Sequence, residues 1–199
     1  HPTRDYSERM LRAFAWPIRF GAGWAEVEGG HRLAAADIQV PADFSSAAFA
    51  LTAACVIPGS ELVLEQVGMN PRRTGLLRVL QQMGADIHVG SAGGQDDEAV
   101  ADLRVRATPL RGIDVPLECV PDMIDEFPVL FIAAALAEGV TRVRGAAELR
   151  VKESDRIAAM AAGLRALGIR VDETADGADI HGGALHGGVI DSHGDHRIA

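Results

Sequence analysis

The sequence of 199 residues predicts an α/β protein of the α+β type, in which several small sheets pack around shared helices. Two helices that are apolar throughout begin near Ser45 and Asp125, and they end at Gly59 and Gly139. The same order of elements follows each of them: a strand, a loop, an amphipathic helix ending at a glycine, and a second strand. An internal repeat of a βαβαββ-like unit accounts for this order.

Residues 1–40 differ in pattern from the rest of the chain, and the character of the sequence changes at Pro41. Thr3–Phe14 has its apolar residues at helical spacing. Short strand-like segments separated by glycines and polar residues follow it: Ile18–Phe20, Ala25–Glu28 and Ile38–Val40.

The first repeat unit starts with the apolar helix Phe44–Ile57, which Ser45 and Ser46 begin and Pro58-Gly59 ends. Three further elements are predicted: a strand at Glu61–Val67, an amphipathic helix at Thr74–Met83 and a strand at Asp86–Val89. A helix that is hydrophobic on all sides must be almost fully enclosed by protein.

The second repeat unit follows a loop rich in glycine and acidic residues. Its predicted elements are strand Leu103–Ala107, apolar helix Asp125–Ala137, strand Val140–Val143, amphipathic helix Lys152–Leu167 and a strand from Ile169 to Val171. A third copy would start at Asp195. The paired glycines 182–183 and 187–188 are interpreted as hairpin turns rather than a phosphate-binding loop.

The repeat has a consequence for ligand binding. Three equivalent helices side by side would present three N-termini at one end of the domain, where unpaired N–H groups and the helix dipoles attract an anion. A small phosphate or carboxylate ligand would suit such a site, although repeats can also build a scaffold and nothing more.

Composition excludes several classes of protein. The net charge of −9 argues against general nucleic-acid binding, and no apolar run reaches the length of a membrane span. The first residues show no signal-peptide pattern, and Cys55 and Cys119 lie in apolar surroundings typical of reduced, buried thiols. The chain starts at His1 and stops just after Asp195, where a helix would begin, so we expect a piece of a larger polypeptide.

The richest cluster of charged residues is the segment 150–156. Lys152, the single lysine of the sequence, and Arg156 stand four residues apart on the predicted first helical turn, where like charges repel and cations are disfavoured. An anionic ligand could compensate for this arrangement. Alternatively, Glu153 and Asp155 could neutralise both cations in a solvated surface cluster.

Six segments, in this order along the chain, resemble the bacterial 5-enolpyruvylshikimate-3-phosphate (EPSP) synthases, or 3-phosphoshikimate 1-carboxyvinyltransferases. The similar segments are Thr3-Arg4-Asp5-Tyr6-Ser7-Glu8, Ala42-Asp43-Phe44-Ser45-Ser46, Met69-Asn70-Pro71-Arg72-Arg73-Thr74-Gly75, Ile124-Asp125-Glu126-Phe127-Pro128, Arg150-Val151-Lys152-Glu153-Ser154-Asp155-Arg156 and Asp195-His196-Arg197-Ile198-Ala199. In the first segment, Thr3, Tyr6 and Ser7 replace the serine, histidine and threonine usual in this family. The resemblance runs over the whole chain.

The resemblance implies an inside-out α/β barrel of two lobes, each made of three βαβαββ units, with the substrates between the lobes. Residues 1–40 would be the end of the first lobe and the crossover, and residues 41–199 two units and the start of a third. The implied reaction transfers the enolpyruvyl group of phosphoenolpyruvate to the 5-hydroxyl of shikimate 3-phosphate and releases phosphate. It implies no metal or organic cofactor, a cytoplasmic location and a monomeric full-length enzyme, with this chain inactive alone.

The same resemblance implies a role for each matching residue. Asp125 would accept the hydroxyl proton and Glu153 would exchange a proton with the methylene carbon of phosphoenolpyruvate. The residues implied to bind shikimate 3-phosphate are Asp125, Lys152, Arg4 and Thr3, and those implied to bind phosphoenolpyruvate are Arg156, Arg197 and His196.

Two alternatives remain open at this point. UDP-N-acetylglucosamine enolpyruvyl transferase shares the fold and uses phosphoenolpyruvate, but lacks the segment 150–156 as it stands here. A ligand-binding module of the same fold without catalytic activity is the other alternative, and the intact set of charged residues argues against it.

Overall fold

Two units with the same topology make up most of the computed structural model, which describes residues 4–91, 93 and 98–199. Helix α1 (Tyr6–Ala13) and a two-stranded sheet of β1 (Ile18–Gly21) and β2 (Trp24–Val27) precede them. The first unit contains α2 (Phe44–Val56), β3 (Glu61–Gly68), α3 (Gly75–Gln82), β4 (Asp86–Val89) and β5 (Val100–Arg106). The second contains α4 (Phe127–Leu136), β6 (Val140–Val143), α5 (Arg156–Ala166), β7 (Val171–Thr174) and β8 (Gly177–His181).

Each unit has a three-stranded sheet in which the last strand lies in the middle. The order is β3-β5-β4 in the first sheet and β6-β8-β7 in the second, and every neighbouring pair is antiparallel. Before the first helix of each unit, isolated parallel bridges take the place of a strand. Ala42 pairs with Val67 in the first unit, and Arg111 and Asp114 pair with Glu138 and Arg142 in the second. The repeat predicted from the sequence is therefore confirmed for these two units. The prediction that strand Leu103–Ala107 opens the second unit is wrong, because the corresponding β5 pairs with β3 and β4 in the first sheet.

The second apolar helix is enclosed as predicted, because nearly every residue of α4 is buried, with Phe127, Leu130 and Phe131 in the main core. Burial of one such side chain contributes about 1.5–3 kcal/mol. The apolar stripe of α5, with Ile157 and Leu164 at its ends, packs into the same core. A rigid core therefore supports the N-terminal ends of both helices.

A close approach fixes the segment that leads into α4. This segment has two 3₁₀ turns, Leu117–Cys119 and Pro121–Met123. A Cβ atom at Gly75, the first residue of α3, would lie 2.8 Å from the carbonyl oxygen of Cys119 and 2.9 Å from the Met123 side chain. Only glycine allows α3 to pack so tightly, and this contact places the residues that follow Met123.

Four expectations about local structure need correction. Helix α2 is enclosed on one side only, and Phe49 is exposed. Ile38–Val40 is not a strand, because no neighbouring strand in the described part of the chain pairs with it. Gly182 does not form a hairpin turn: it follows β8 and packs against the Ala137 carbonyl at the end of α4. Residues 187–188 likewise follow β8. The turn between β7 and β8 lies at residues 175–176.

The apolar surroundings expected for the two cysteines are confirmed, since Cys55 and Cys119 are buried, free thiols. Burial raises the pKa of the Cys55 thiol to about 11. None of the helices in the described residues has the length and apolar character needed to cross a membrane.

Candidate active site

Asp125 lies in the short segment between the second 3₁₀ turn and α4, and three cations surround its carboxylate. The Arg4 guanidinium is 2.7 Å from Oδ2, while Arg156 and Lys152 lie 3.6 and 3.9 Å from Oδ1. Arg4 is far from Lys152 and Arg156 in the sequence, yet all three predicted site residues meet at the predicted carboxylate.

The ionisation of Asp125 reflects this environment. Burial raises the pKa of its carboxyl group, but the hydrogen bond from Arg4 and the positive charges of Arg4, Lys152 and Arg197 outweigh that effect. The net result is a pKa below the usual value, so Asp125 is a carboxylate at neutral pH. A proton acceptor must be deprotonated before it can act, and Asp125 meets this requirement.

Arg156 is the most deeply buried cation of the site, with 2% of its side chain exposed. Its Nε lies 2.9 Å from Asp195 Oδ2, and its Nη2 donates a hydrogen bond to Glu153 Oε2 at 2.6 Å. Carboxylates on both sides of the guanidinium offset the cost of burying it. They also hold the planar group in one orientation, with Nη1 toward Asp125.

The prediction that Lys152 and Arg156 share the first turn of one helix is wrong. Helix α5 begins at Arg156, because the Asp155 side chain accepts a hydrogen bond from the Ala158 amide and caps the helix there. Residues 147–151 form a 3₁₀ turn, and Lys152 follows that turn outside the helix. Its ammonium group pairs with Glu148 as well as Asp125.

The alternative interpretation, in which Glu153 and Asp155 neutralise both cations in a solvated surface cluster, is correct only in part. Glu153 does neutralise Arg156, and its side chain is 57% exposed, but Arg156 itself is buried. Asp155 pairs with Arg150 rather than with either predicted cation. The segment is therefore a partly buried ion-pair network with an open side formed by Lys152 and Glu153.

Asp195, where the sequence predicts the start of a third repeat, also belongs to this network. Its side chain is fully buried and accepts hydrogen bonds from Ser154 Oγ, from Arg156 and from the backbone amide of Arg197. Burial raises the pKa of Asp195, but these hydrogen bonds and the charge of Arg156 outweigh it and lower the pKa to about 2. Asp195 is therefore ionised at all physiological pH values.

The side chains after Asp195 differ in how closely they approach the cluster. The Arg197 guanidinium is largely buried and lies 3.9 Å from Glu126 Oε1. The ring of His196 is 68% exposed, and its Nδ1 lies 3.9 Å from Asp195 Oδ1. His196 is thus at the edge of the site. Thr3, the remaining predicted residue, lies outside the described residues.

A second chain of polar groups lies behind Asp125. Arg73 donates a hydrogen bond to Ser45 Oγ, and Ser45 in turn donates one to Glu126 Oε1. Ser45 is in the first turn of α2, and Glu126 immediately precedes α4. Because Arg197 also faces Glu126, the starts of the two described units meet here with the segment after Asp195, where the sequence predicts a third unit.

The sequence interpretation did not assign four residues of these networks: Asp195, Glu126, Ser45 and Arg73. All four lie within the segments on which the resemblance is based, and Asp195 and Ser45 occur at predicted helix starts. Their position at predicted helix starts could have identified Asp195 and Ser45 from the sequence. Their pairing, however, joins different repeats and could not be obtained from local spacing.

The arrangement suits a ligand with several negative charges. Arg4, Lys152, Arg156 and Arg197 are within reach of one region, and arginine forks bind phosphate and carboxylate groups through paired hydrogen bonds. Asp125 and Glu153 supply carboxylates able to move protons. In the part of the chain that the structure describes, no group of three or more His, Cys, Asp or Glu side chains could hold a metal ion.

Comparisons with known proteins agree with this geometry. The sequence is 67% identical to 3-phosphoshikimate 1-carboxyvinyltransferase of Xanthomonas campestris pv. campestris (strain 8004) and 65% identical to that of Xanthomonas euvesicatoria pv. vesicatoria (strain 85-10). Both matches cover 100% of this chain and 45% of the relative, so the chain spans less than half the length of these relatives.

Solved structures give the same result. EPSP synthase from Acinetobacter baumannii superposes with a TM-score of 0.95 at 48% identity, over 100% of this chain and 46% of that one. The enolpyruvyl transferase NikO from Streptomyces tendae, at 20% identity and a TM-score of 0.58 over 86% of this chain and 38% of that one, shares the fold. The family model described as EPSP synthase (3-phosphoshikimate 1-carboxyvinyltransferase) matches residues 1–199, and the chain therefore belongs to the EPSP synthase family.

Proposed function

We propose that the intact protein carrying this chain transfers the enolpyruvyl group from phosphoenolpyruvate to the 5-hydroxyl of shikimate 3-phosphate and releases phosphate. The observation that carries this proposal is the meeting of Arg4, Lys152 and Arg156 around the Asp125 carboxylate. Family membership supports the same reaction. Both substrates are small anions, which fits a site where cations converge in an acidic chain.

In the proposed mechanism, Arg156 and Arg197 bind the anionic groups of phosphoenolpyruvate, while Lys152 and Arg4 bind shikimate 3-phosphate. Asp125 accepts the proton of the 5-hydroxyl as its oxygen forms a bond to C2 of phosphoenolpyruvate. Glu153, in its protonated form, gives its proton to the methylene carbon, which yields a tetrahedral intermediate. The methyl carbon then returns a proton to Glu153 while phosphate leaves C2 and takes up the proton held by Asp125, and the double bond is restored.

Substrate binding would also adjust the proton acceptor. In the structure, Arg4 and Lys152 lower the pKa of Asp125. A phosphate group competes for these same cations, and their weaker hold on the carboxylate raises its pKa. A carboxylate with a higher pKa is a stronger base, so binding of the acceptor would prepare Asp125 for proton transfer.

The remaining parts of the proposal, which concern domain organisation, oligomeric state and location, rest on membership of the family. We propose that residues 1–40 belong to a first lobe and residues 41–199 to a second. A monomeric intact enzyme in the cytoplasm and inactivity of the 199-residue chain alone belong to the same proposal. In this proposal His196 also contacts phosphoenolpyruvate and Thr3 also contacts shikimate 3-phosphate.

The test measures phosphate release from phosphoenolpyruvate by the intact protein, with shikimate 3-phosphate and UDP-N-acetylglucosamine as parallel acceptors. Release with shikimate 3-phosphate alone is the expected result. Release with UDP-N-acetylglucosamine alone would assign the protein to the sister reaction. If neither acceptor gives phosphate release, the result would favour a ligand-binding module without catalytic activity.

A further inference from the structure

Glu126 is a buried carboxylate to which the proposed mechanism gives no role. One per cent of its side chain is exposed. Oε1 accepts a hydrogen bond from Ser45 Oγ, whereas Oε2 is buried and has no hydrogen-bond partner among the described residues. Arg197 Nη1 lies 3.9 Å from Oε1, which is too far for a hydrogen bond.

Such a group is costly to keep in a folded protein. A buried carboxylate is stable when paired charges and hydrogen bonds satisfy both oxygens, and an unpaired oxygen leaves much of the cost of desolvation in place. Burial accordingly raises the pKa of Glu126, against the opposing effects of Ser45, Arg73 and Arg197. The unpaired Oε2 thus has room for one more donor.

Arg156 shows what a completed arrangement of this kind looks like. A fully buried carboxylate, Asp195, holds one edge of its guanidinium through Nε at 2.9 Å and Nη2 at 3.3 Å. Nη1 is left to face Asp125. Arg197 and Glu126 likewise pair an arginine of the site with a buried carboxylate. Their nearest atoms are 3.9 Å apart, however, so no hydrogen bond joins them.

We propose that Glu126 is a positioning residue for Arg197: on binding of an anion, the guanidinium closes onto the Glu126 carboxylate with one edge and presents the other edge to the anion. The Arg73–Ser45–Glu126 chain holds the carboxylate in place for this contact. The inference rests on the proposed function insofar as the anion is phosphoenolpyruvate. Glu126 itself touches no substrate in this scheme.

The test compares Glu126→Gln with the parent in the intact protein. Glutamine keeps the size of the side chain but replaces the charge with an amide that cannot pair with a guanidinium in the same way. We expect the KM for phosphoenolpyruvate to rise about tenfold, equivalent to about 1.4 kcal/mol, while the KM for shikimate 3-phosphate stays within about twofold. In an Arg197→Ala background, Glu126→Gln should add less than about twofold, because its effect passes through Arg197.

Asp122→Asn is the matched control. Asp122 is also a buried carboxylate at the entry to α4, but it pairs with Arg78 at 2.5 Å on the α3 side. We expect this variant to unfold more easily and to keep both KM values. An equal rise in the KM for phosphoenolpyruvate in the control would overturn the inference, as would independent, multiplicative effects of Glu126→Gln and Arg197→Ala.

Direct titration with phosphoenolpyruvate alone separates this inference from the proposed function. Weaker binding by Glu126→Gln supports the inference even if the parent releases no phosphate, an outcome that would refute the proposed reaction. Equal binding by parent and variant refutes the inference even where the parent is active. A parent that neither binds phosphoenolpyruvate nor releases phosphate refutes both.

Discussion

Replacement of Asp195 by asparagine tests the buried network most directly, because this carboxylate joins the C-terminal segment to Arg156 at the start of α5. Its contacts with Ser154, Arg156 and the Arg197 amide lower the pKa from 3.8 to about 2. A shift of this size corresponds to about 2–3 kcal/mol of stability at neutral pH. Loss of one partner from a buried ion pair costs about 3–5 kcal/mol, which bounds the effect from above.

The sign of the pH dependence follows from the lowered pKa. The folded protein holds the proton on Asp195 less tightly than the unfolded chain does, so the stabilisation is complete above the unfolded pKa of about 4. It falls as the pH drops toward about 2, the folded value. Between pH 5 and pH 8 the stability difference between parent and variant should therefore be constant.

Urea unfolding of the intact protein measures this difference, and Asp191→Asn serves as the control. Asp191 lies on the same segment but is exposed and pairs with His193 at 3.5 Å. We expect the control to stay within about 0.5 kcal/mol of the parent. If Asp195→Asn also stays within that range, the network around Arg156 does not stabilise the protein and the reasoning is refuted.

Three further predictions concern the site and the core. Asp125→Asn should lower kcat by about 10²–10⁴-fold with substrate binding largely retained, and turnover at the parent rate would exclude Asp125 as the base. Arg156→Lys keeps a positive charge beside Asp195 but loses the paired N–H donors of the guanidinium, so the KM for phosphoenolpyruvate should rise about tenfold or more. An equal rise in the KM for shikimate 3-phosphate would contradict the assignment of Arg156 to phosphoenolpyruvate. The buried Cys55 thiol, with a pKa of about 11, should resist a thiol reagent at pH 8 until urea is added, as followed by peptide mass spectrometry; rapid labelling of the native protein would contradict its burial.

Periodicity predicted most of the secondary structure, because hydrophobic spacing and glycine stops are local properties. The enclosure of α4 and the stripe of α5 agree with that pattern. The sheets agree only in part, because β5 belongs to the first sheet rather than to the second unit and β8 was not predicted. Helix boundaries were less accurate. The pattern placed the start of α5 at Lys152, but the Asp155 cap sets it at Arg156, and a cap depends on backbone geometry that apolar spacing does not record.

By itself, the sequence determined the internal repeat, the expectation that three helix starts converge, and the charged residues that define the candidate site. The tertiary structure alone decided which of these residues meet. Arg4 reaches Asp125 across 121 positions of sequence, Ser45 reaches Glu126 across 81, and Arg156 reaches Asp195 across 39. Contacts over such separations depend on how the repeats pack against one another, and close-packed cores set those distances through shape and volume rather than through local spacing.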